Sequence, residues 1–134
     1  MTKSVSLMPP PPIQVYIIDD EPSVCTAYAR LLRSGKMHSQ AFASIEDFLD
    51  SDIREANACV ICDVQMPGAS GLELPGLLAK GGRRLPVILV TAQDSAETRE
   101  LAQRAGAAGY FRKPVDEQAL LDAIAWALGR PSNP

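Results

Sequence analysis

The chain has 134 residues, of which 46% are hydrophobic, 22% charged and 5% aromatic, and its formal net charge is −3. This length predicts a single domain with short tails, large enough to form its own hydrophobic core. The acidic charge argues against direct nucleic-acid binding, which needs clustered Lys and Arg. No apolar run approaches the roughly 20 residues that a membrane span requires.

Residues 1–12 show no periodicity and end in Pro9-Pro10-Pro11-Pro12, which predicts a disordered, proline-rich tail. The prolines stand where a signal peptide would place its apolar segment, so we expect no secretion. An odd number of cysteines, three, favours reduced thiols and a cytoplasmic location. Cys59 and Cys62 fit a CxxC pattern, but strand residues three apart face opposite ways, which predicts buried thiols instead of a redox or zinc site.

Apolar runs and helical segments alternate along the rest of the chain. Three continuous apolar runs and two shorter segments predict five strands, which we place at residues 13–18, 39–42, 58–62, 85–90 and 109–112. The three longest runs stop at polar residues, namely Asp19, Asp63 and Thr91. A helical segment follows each strand.

The first three predicted helices have recognisable start and stop signals. Pro22 suits the first turn of the first helix, and Gly35 stands where a C-terminal cap belongs. Ser44 with Asp47 predicts a capping box at the start of the second helix. Because proline cannot donate a helical hydrogen bond, Pro75 predicts a third helix that is kinked or that begins with Pro75 in its first turn.

The fourth and fifth helices complete the pattern. Asp94 and Glu97 indicate the start of the fourth helix, whose inward side offers mainly Leu101 and alanines, so little burial holds it in place. The fifth helix is predicted from about Asp116 to Leu128. Trp126 lies off its inward row, which predicts either an exposed interface residue or partial burial against a neighbouring strand.

Continuous apolar runs are typical of strands that are buried on both faces, which predicts an α/β fold with a parallel sheet between two layers of helices. Right-handed crossovers bring the carboxyl ends of such strands to one edge of the sheet, where ligands bind. The polar residues predicted at this edge are Asp19, Asp20, Asp63, Thr91 and Lys113.

These five residues indicate phosphoryl chemistry. Three carboxylates in one cleft repel one another, and an all-oxygen set without His or Cys favours Mg²⁺ as the cation that relieves the repulsion. A carboxylate, Mg²⁺, a hydroxyl and a lysine are together the parts that accept a phosphoryl group. Asp63 considered alone would be better explained as a cap or turn residue, but four strand ends carry compatible chemistry.

Four motifs carry a resemblance to a known family. They are Val15-Tyr16-Ile17-Ile18-Asp19-Asp20-Glu21, Cys62-Asp63-Val64-Gln65-Met66-Pro67-Gly68, Val90-Thr91-Ala92 and Tyr110-Phe111-Arg112-Lys113-Pro114. In this order they resemble the receiver domain of two-component response regulators, and the resemblance covers residues 14–128. The stretch from Ala41 to Leu49 is most similar to the FixJ/LuxR-type subfamily, whose members often carry a LuxR-type DNA-binding domain.

The resemblance implies a flavodoxin-like, doubly wound sheet of five parallel strands in the order 2-1-3-4-5, with five helices. It implies a receiver domain at residues 13–129 and a C-terminal tail at 130–134. It also implies that Asp63 takes a phosphoryl group from the phosphohistidine of a sensor histidine kinase or phosphotransfer protein. The chain would then be a signalling domain that assists its own phosphorylation and dephosphorylation, and not an enzyme.

The resemblance further implies a role for each polar residue of the site. Asp20 and Asp63 would bind Mg²⁺ directly, with the backbone carbonyl of Gln65 as a third ligand and Asp19 acting mainly through water. The groups implied to hold the phosphoryl oxygens are Lys113, Thr91 and the backbone N–H of Ala92. The Lys113-Pro114 bond is typically cis in this family.

The charge added by phosphorylation suggests how a change at the site would alter the protein surface. Phosphorylation adds nearly two negative charges to Asp63, which would draw Thr91 toward the new oxygens and let Tyr110 turn inward. This would change the surface of the fourth helix, fifth strand and fifth helix for dimerisation or target binding. A Tyr110 that is simply a half-buried strand residue remains the alternative.

Two other functions stay open. A small phosphatase with an aspartyl-phosphate intermediate usually has a second acid two residues after the nucleophile, where this chain has Gln65. A protein-interaction module that never accepts phosphate would not need the five polar residues at the sheet edge. The chain ends at Pro134 without room for a DNA-binding domain, which predicts a stand-alone receiver or a fragment of a longer regulator.

Overall fold

A computed structural model of the chain describes residues 11–129, in which five strands alternate with five helices. The strands are β1 (Gln14–Ile18), β2 (His38–Phe42), β3 (Ala58–Asp63), β4 (Val87–Thr91) and β5 (Gly109–Arg112). The helices are α1 (Pro22–Ser34), α2 (Ile45–Leu49), α3 (Leu74–Lys80), α4 (Ala96–Ala105) and α5 (Glu117–Ala127). Of the predicted tails, residues 1–10 and 130–134 lie outside the described residues.

All five strands are parallel and lie in the order β2-β1-β3-β4-β5, which confirms the predicted fold. The three central strands are buried along nearly their whole length, as their continuous apolar sequences predict. The edge strand β2 is partly exposed. The carboxyl ends of the five strands meet at one edge of the sheet.

Helices cover both faces of the sheet because alternate strand residues point to opposite sides. Val15 and Ile17 of β1 belong to a cluster that includes Leu32 of α1 and two residues of α5, Leu120 and Ile124. The other face carries a second cluster, to which α2, α3 and α4 contribute; its members from the sheet and these helices include Tyr16, Ile18, Phe48, Leu74, Leu78 and Ala102. Two separate cores therefore hold the sheet in place.

The helix starts agree with the sequence with one exception. Pro22 lies in the first turn of α1, and the Ser44 side chain accepts a hydrogen bond from the Asp47 N–H at the start of α2. The cap of α4 is Ser95, one residue after the predicted Asp94, and its hydroxyl accepts from the Thr98 N–H at 3.0 Å. Asp94 does not cap the helix because its carboxylate accepts hydrogen bonds from Tyr110 and Arg99.

The segment around Pro75 starts late, which is one of the two predicted outcomes. A short 3₁₀ turn at Gly71–Glu73 comes first, with Ser70 and Glu73 forming a capping box. Pro75 then lies in the first turn of α3, where its missing N–H costs no hydrogen bond. A Cβ at Gly71 would overlap the carbonyl oxygen of Asp63, so only glycine lets this turn pack against the end of β3.

Two large apolar side chains, one on α4 and one on α5, are exposed to solvent. Leu101 is 41% exposed, so the prediction that it lies on the inward side of α4 is wrong; the buried residue is the next one, Ala102. One residue along a helix turns the side chain by about 100°, which moves it from the core to the surface. Trp126 is 79% exposed, which excludes the predicted alternative of partial burial against a neighbouring strand. Between residues 11 and 129 no helix is long and apolar enough to cross a bilayer.

Candidate functional site

Four strand ends bring the predicted polar residues to one edge of the sheet. Asp63 and Thr91 are the last residues of β3 and β4. Asp19 directly follows β1, and Lys113 directly follows β5. Since the strands are parallel, residues separated by up to 94 positions in sequence come into contact here.

Lys113 connects two of the predicted carboxylates. Its Nζ atom donates to Asp63 Oδ2 at 2.8 Å and to Asp19 Oδ2 at 3.3 Å. Burial by itself would lower the pKa of the Lys113 ammonium, but the hydrogen bond to Asp63 and the charge of Asp19 outweigh it, so the pKa is raised. The lysine is therefore a firmly charged cation between two acids.

The second oxygen of each carboxylate is held by the loop that follows its strand. The Glu21 N–H donates to Asp19 Oδ1 at 2.9 Å, and the Gln65 N–H donates to Asp63 Oδ1 at 3.0 Å. The Asp19 side chain is only 3% exposed. Burial raises the pKa of the Asp19 carboxyl above its ordinary value, and the Glu21 N–H and Lys113 oppose this only in part. Two carboxylates share a single ammonium here, so their negative charge exceeds the positive charge that Lys113 supplies.

Asp20 is placed differently from the other two acids. It is exposed and lines, with Asp19 and Cys25, a cavity of about 230 Å³ next to β2. In the part of the chain that the structure describes, no three acidic, histidine or cysteine side chains come close enough to form a metal-holding group. The predicted cluster of three carboxylates is thus not assembled, although its oxygen donors and the undercompensated charge at Asp19 suit a hard divalent cation.

Thr91 is fully buried and uses both hydrogen-bonding functions of its hydroxyl. It donates to the side-chain Oε1 of Gln65 at 2.8 Å and accepts from the Gln93 N–H at 3.0 Å. Ala92, the next residue, is exposed at the start of the loop to α4. The resemblance implied a metal-binding role for the backbone carbonyl of Gln65, whereas the hydrogen bond of its side chain to Thr91 comes from the structure.

Tyr110 lies on β5 and is bonded to the loop before α4. Its hydroxyl donates to Asp94 Oδ1 at 2.9 Å, and the other oxygen of this carboxylate accepts from Arg99 at 2.6 Å. The Arg99 guanidinium also lies 6.0 Å from the centre of the Tyr110 ring. Asp94 and Arg99 were not predicted for the site, and no sequence signal distinguishes them from other surface charges of a helix start.

Two further predictions concern the cis peptide bond and the buried cysteines. The Lys113-Pro114 peptide bond is cis, as the resemblance implied. Cys59 and Cys62 are buried in the two opposite cores, so the CxxC pattern forms no site. Burial raises the pKa of the Cys59 thiol to about 12, as expected for an inert core residue.

Comparisons with known proteins agree with this geometry. The family model of the response regulator receiver domain matches residues 15–125. The transcriptional regulatory protein TdiR of Thauera aromatica is 40% identical over 114 residues, which are 85% of this chain and 50% of TdiR. The transcriptional regulatory protein FixJ of Azorhizobium caulinodans is 35% identical over 124 residues, 92% of this chain and 59% of FixJ.

A solved structure supports the same assignment. The response regulator receiver protein from Burkholderia phymatum superposes with a TM-score of 0.77 at 38% identity, covering 91% of this chain and 99% of that one. The chain spans about half the length of the curated relatives it matches. A family match over most of the chain and the shared fold lead to one conclusion: the chain belongs to the family of response regulator receiver domains.

Proposed function

We propose that Asp63 accepts a phosphoryl group from the phosphohistidine of a sensor kinase or phosphotransfer protein, so that the chain is a switchable receiver in two-component signalling. The observation that carries the proposal is the position of Lys113, which is 2.8 Å from Asp63 and 3.3 Å from Asp19 at the carboxyl edge of the sheet. In this role the chain is a signalling domain and its phosphorylated form is the output.

The transfer needs a nucleophile and a compensating charge. An Asp63 carboxylate oxygen attacks the phosphorus atom, forming an O–P bond while the N–P bond of phosphohistidine breaks and the imidazole leaves with the electron pair. Lys113 stands beside the attacking carboxylate as a cation, where it offsets the charge that gathers on the phosphoryl oxygens. The N–H of Gln65 holds the other oxygen of Asp63 and so orients the carboxylate.

The residues that would hold Mg²⁺ are Asp19, Asp20, Asp63 and the backbone carbonyl of Gln65. When bound, the metal neutralises phosphoryl oxygens and orients the group for in-line transfer. Asp20 is exposed and lines the same cavity as Asp19. Burial disfavours the charged form of the Asp19 carboxyl and raises its pKa, and a cation bound next to it would offset that cost.

Thr91 and the Ala92 N–H would then hold phosphoryl oxygens and start the conformational change. Thr91 can bind a phosphoryl oxygen only as a donor, and it lies at the end of the strand next to Asp63. Tyr110 is bonded to the loop that follows Thr91, so a shift of Thr91 acts on the Tyr110–Asp94 hydrogen bond. Helix α4 begins in the same loop and buries a single residue, Ala102, which makes it easy to displace.

Two surfaces suit the partners of such a receiver. Lys113 lines a largely apolar cavity of about 490 Å³ between α1 and α5, where a phosphodonor protein could place its histidine next to Asp63. Trp126 on α5 offers an anchor for a homodimer or a target on phosphorylation. We also infer a cytoplasmic location, because the three cysteines of the chain are free thiols.

Mass spectrometry after incubation with acetyl phosphate and Mg²⁺ tests the proposal. We expect one phosphoryl group per chain, and we expect Asp63→Asn to prevent its addition. Asp52→Asn is the matched control, because it makes the same exchange at an exposed residue in the loop before β3, at the other edge of the sheet. Labelling that persists in Asp63→Asn would move the acceptor to another residue.

A further inference from the structure

The hydroxyl of Thr91 can donate only one hydrogen bond, and in this structure it already donates one. The hydroxyl donates to Gln65 Oε1 at 2.8 Å, while its oxygen accepts from the Gln93 N–H. A phosphoryl oxygen has no proton to give, so Thr91 can bind it only by donating. The hydrogen bond to Gln65 and the hydrogen bond to a phosphoryl oxygen are therefore mutually exclusive.

The two partners of this bond differ in their access to water. Thr91 is 0% exposed, whereas Gln65 is an exposed residue. Without Gln65 the buried Thr91 hydroxyl would lack an acceptor for its proton, which is unfavourable, whereas a released Gln65 amide exchanges its bond for one with water at little cost. The Gln65 side chain therefore stabilises the unphosphorylated arrangement in particular.

We propose that the Gln65 side chain is a positioning residue that holds Thr91 in its resting place and thereby sets how readily the receiver is activated. This inference rests on the proposed function, because it assumes that Thr91 turns to an acceptor on Asp63. On activation, Thr91 loses its neutral hydrogen bond to Gln65 and gains a charge-assisted one to a phosphoryl oxygen. The free energy of the lost bond therefore reduces the net gain from activation. A side chain of similar length without an acceptor should make activation easier.

The experiment measures beryllofluoride binding with Mg²⁺, followed by NMR at the Thr91 and Ala92 amides. We expect Gln65→Met to bind beryllofluoride about five- to tenfold more tightly than the wild type, the effect of one hydrogen bond to a buried group. Gln65→Asn should change affinity in the same direction because its amide is too short to reach Thr91. Gln40→Met, the same exchange at an exposed position of β2, is the control and should bind like the wild type.

A double-mutant cycle shows whether the effect passes through Thr91. In a Thr91→Val background, which lacks the hydroxyl, Gln65→Met should leave the affinity unchanged. Equal affinities of wild type and Gln65→Met, or the same tightening in both backgrounds, would refute the positioning role while leaving the proposed function intact. A wild-type chain that does not bind beryllofluoride at all would instead overturn the proposed function and this inference together.

Discussion

Asp94 shows how one side chain can connect two elements of the receiver. One oxygen of its carboxylate accepts from Tyr110 on β5 and the other from Arg99 on α4. The hydrogen bond from Tyr110 lowers the pKa of the Asp94 carboxyl below its ordinary value of 3.8; Arg99 adds to this and burial opposes it. A lowered pKa means that the folded state favours the charged carboxylate, so this contribution to stability is present above the ordinary pKa and is lost as the pH falls through the lowered one.

We therefore expect Tyr110→Phe to raise the pKa of Asp94, measured by NMR titration of its carboxyl carbon. The difference in unfolding free energy between wild type and variant should be largest at neutral pH and should shrink below about pH 4. Tyr28→Phe removes a hydroxyl from α1 and should leave the pKa of Asp94 unchanged. An unaltered Asp94 titration in Tyr110→Phe would mean that the two side chains are not bonded in solution.

At the level of elements, α4 is less firmly held than α5. Helix α4 buries Ala102 alone and exposes Leu101, whereas α5 buries Leu120 and Ile124. An alanine contributes little apolar area, so the capping hydrogen bond from the Thr98 N–H to Ser95 forms a larger share of what fixes α4. This difference is what a switch needs, since the element that moves must have a low local stability.

Loss of the cap should loosen α4 in particular. We expect Ser95→Ala to lower the free energy of unfolding by about 1 kcal/mol. Amide hydrogen exchange should become faster in the first turn of α4 and stay the same in α5. Ser44→Ala removes the corresponding cap of α2 and should speed exchange there instead; faster exchange throughout the sheet in Ser95→Ala would contradict a local role.

At the scale of the whole molecule, the site and the candidate interface are separate. Helix α5 begins directly after the loop that follows Lys113, and Trp126 lies near the other end of that helix. Trp126 is 79% exposed, and tryptophan is typical of the residues that dominate the binding energy of an interface. A substitution of Trp126 should therefore change assembly without changing phosphorylation.

Sedimentation of the beryllofluoride form tests this separation. If phosphorylation leads to a homodimer through α5, Trp126→Ala should weaken the dimer by at least about tenfold, the effect of losing an interface anchor. Acetyl phosphate should still phosphorylate the variant at the wild-type rate. Gln118→Ala, on the same helix, is the control and should dimerise like the wild type; equal dimerisation of Trp126→Ala would assign the tryptophan to a different partner.

Much of the fold could be predicted because it depends on short-range patterns. Continuous apolar runs identified β1, β3 and β4, and the start signals at Pro22, Ser44 and Asp116 identified α1, α2 and α5. The exposed face of α4 could not be predicted, since Leu101 and Ala102 are both apolar and only packing decides which one the core accepts. Because both neighbouring residues are apolar, the periodicity of a helix of 10 residues does not distinguish which of the two faces the core.

The sequence by itself determined the strand order through its family motifs, and it placed Asp19, Asp63, Thr91 and Lys113 at one edge because parallel strands end on the same side. The tertiary structure alone decided how the side chains there are paired. Lys113 bridges Asp19 and Asp63, Asp20 stays exposed, and the Thr91 hydroxyl donates a hydrogen bond to Gln65. Such pairings depend on side-chain orientation and burial, which follow from the packing of several elements at once and leave no local pattern in the chain.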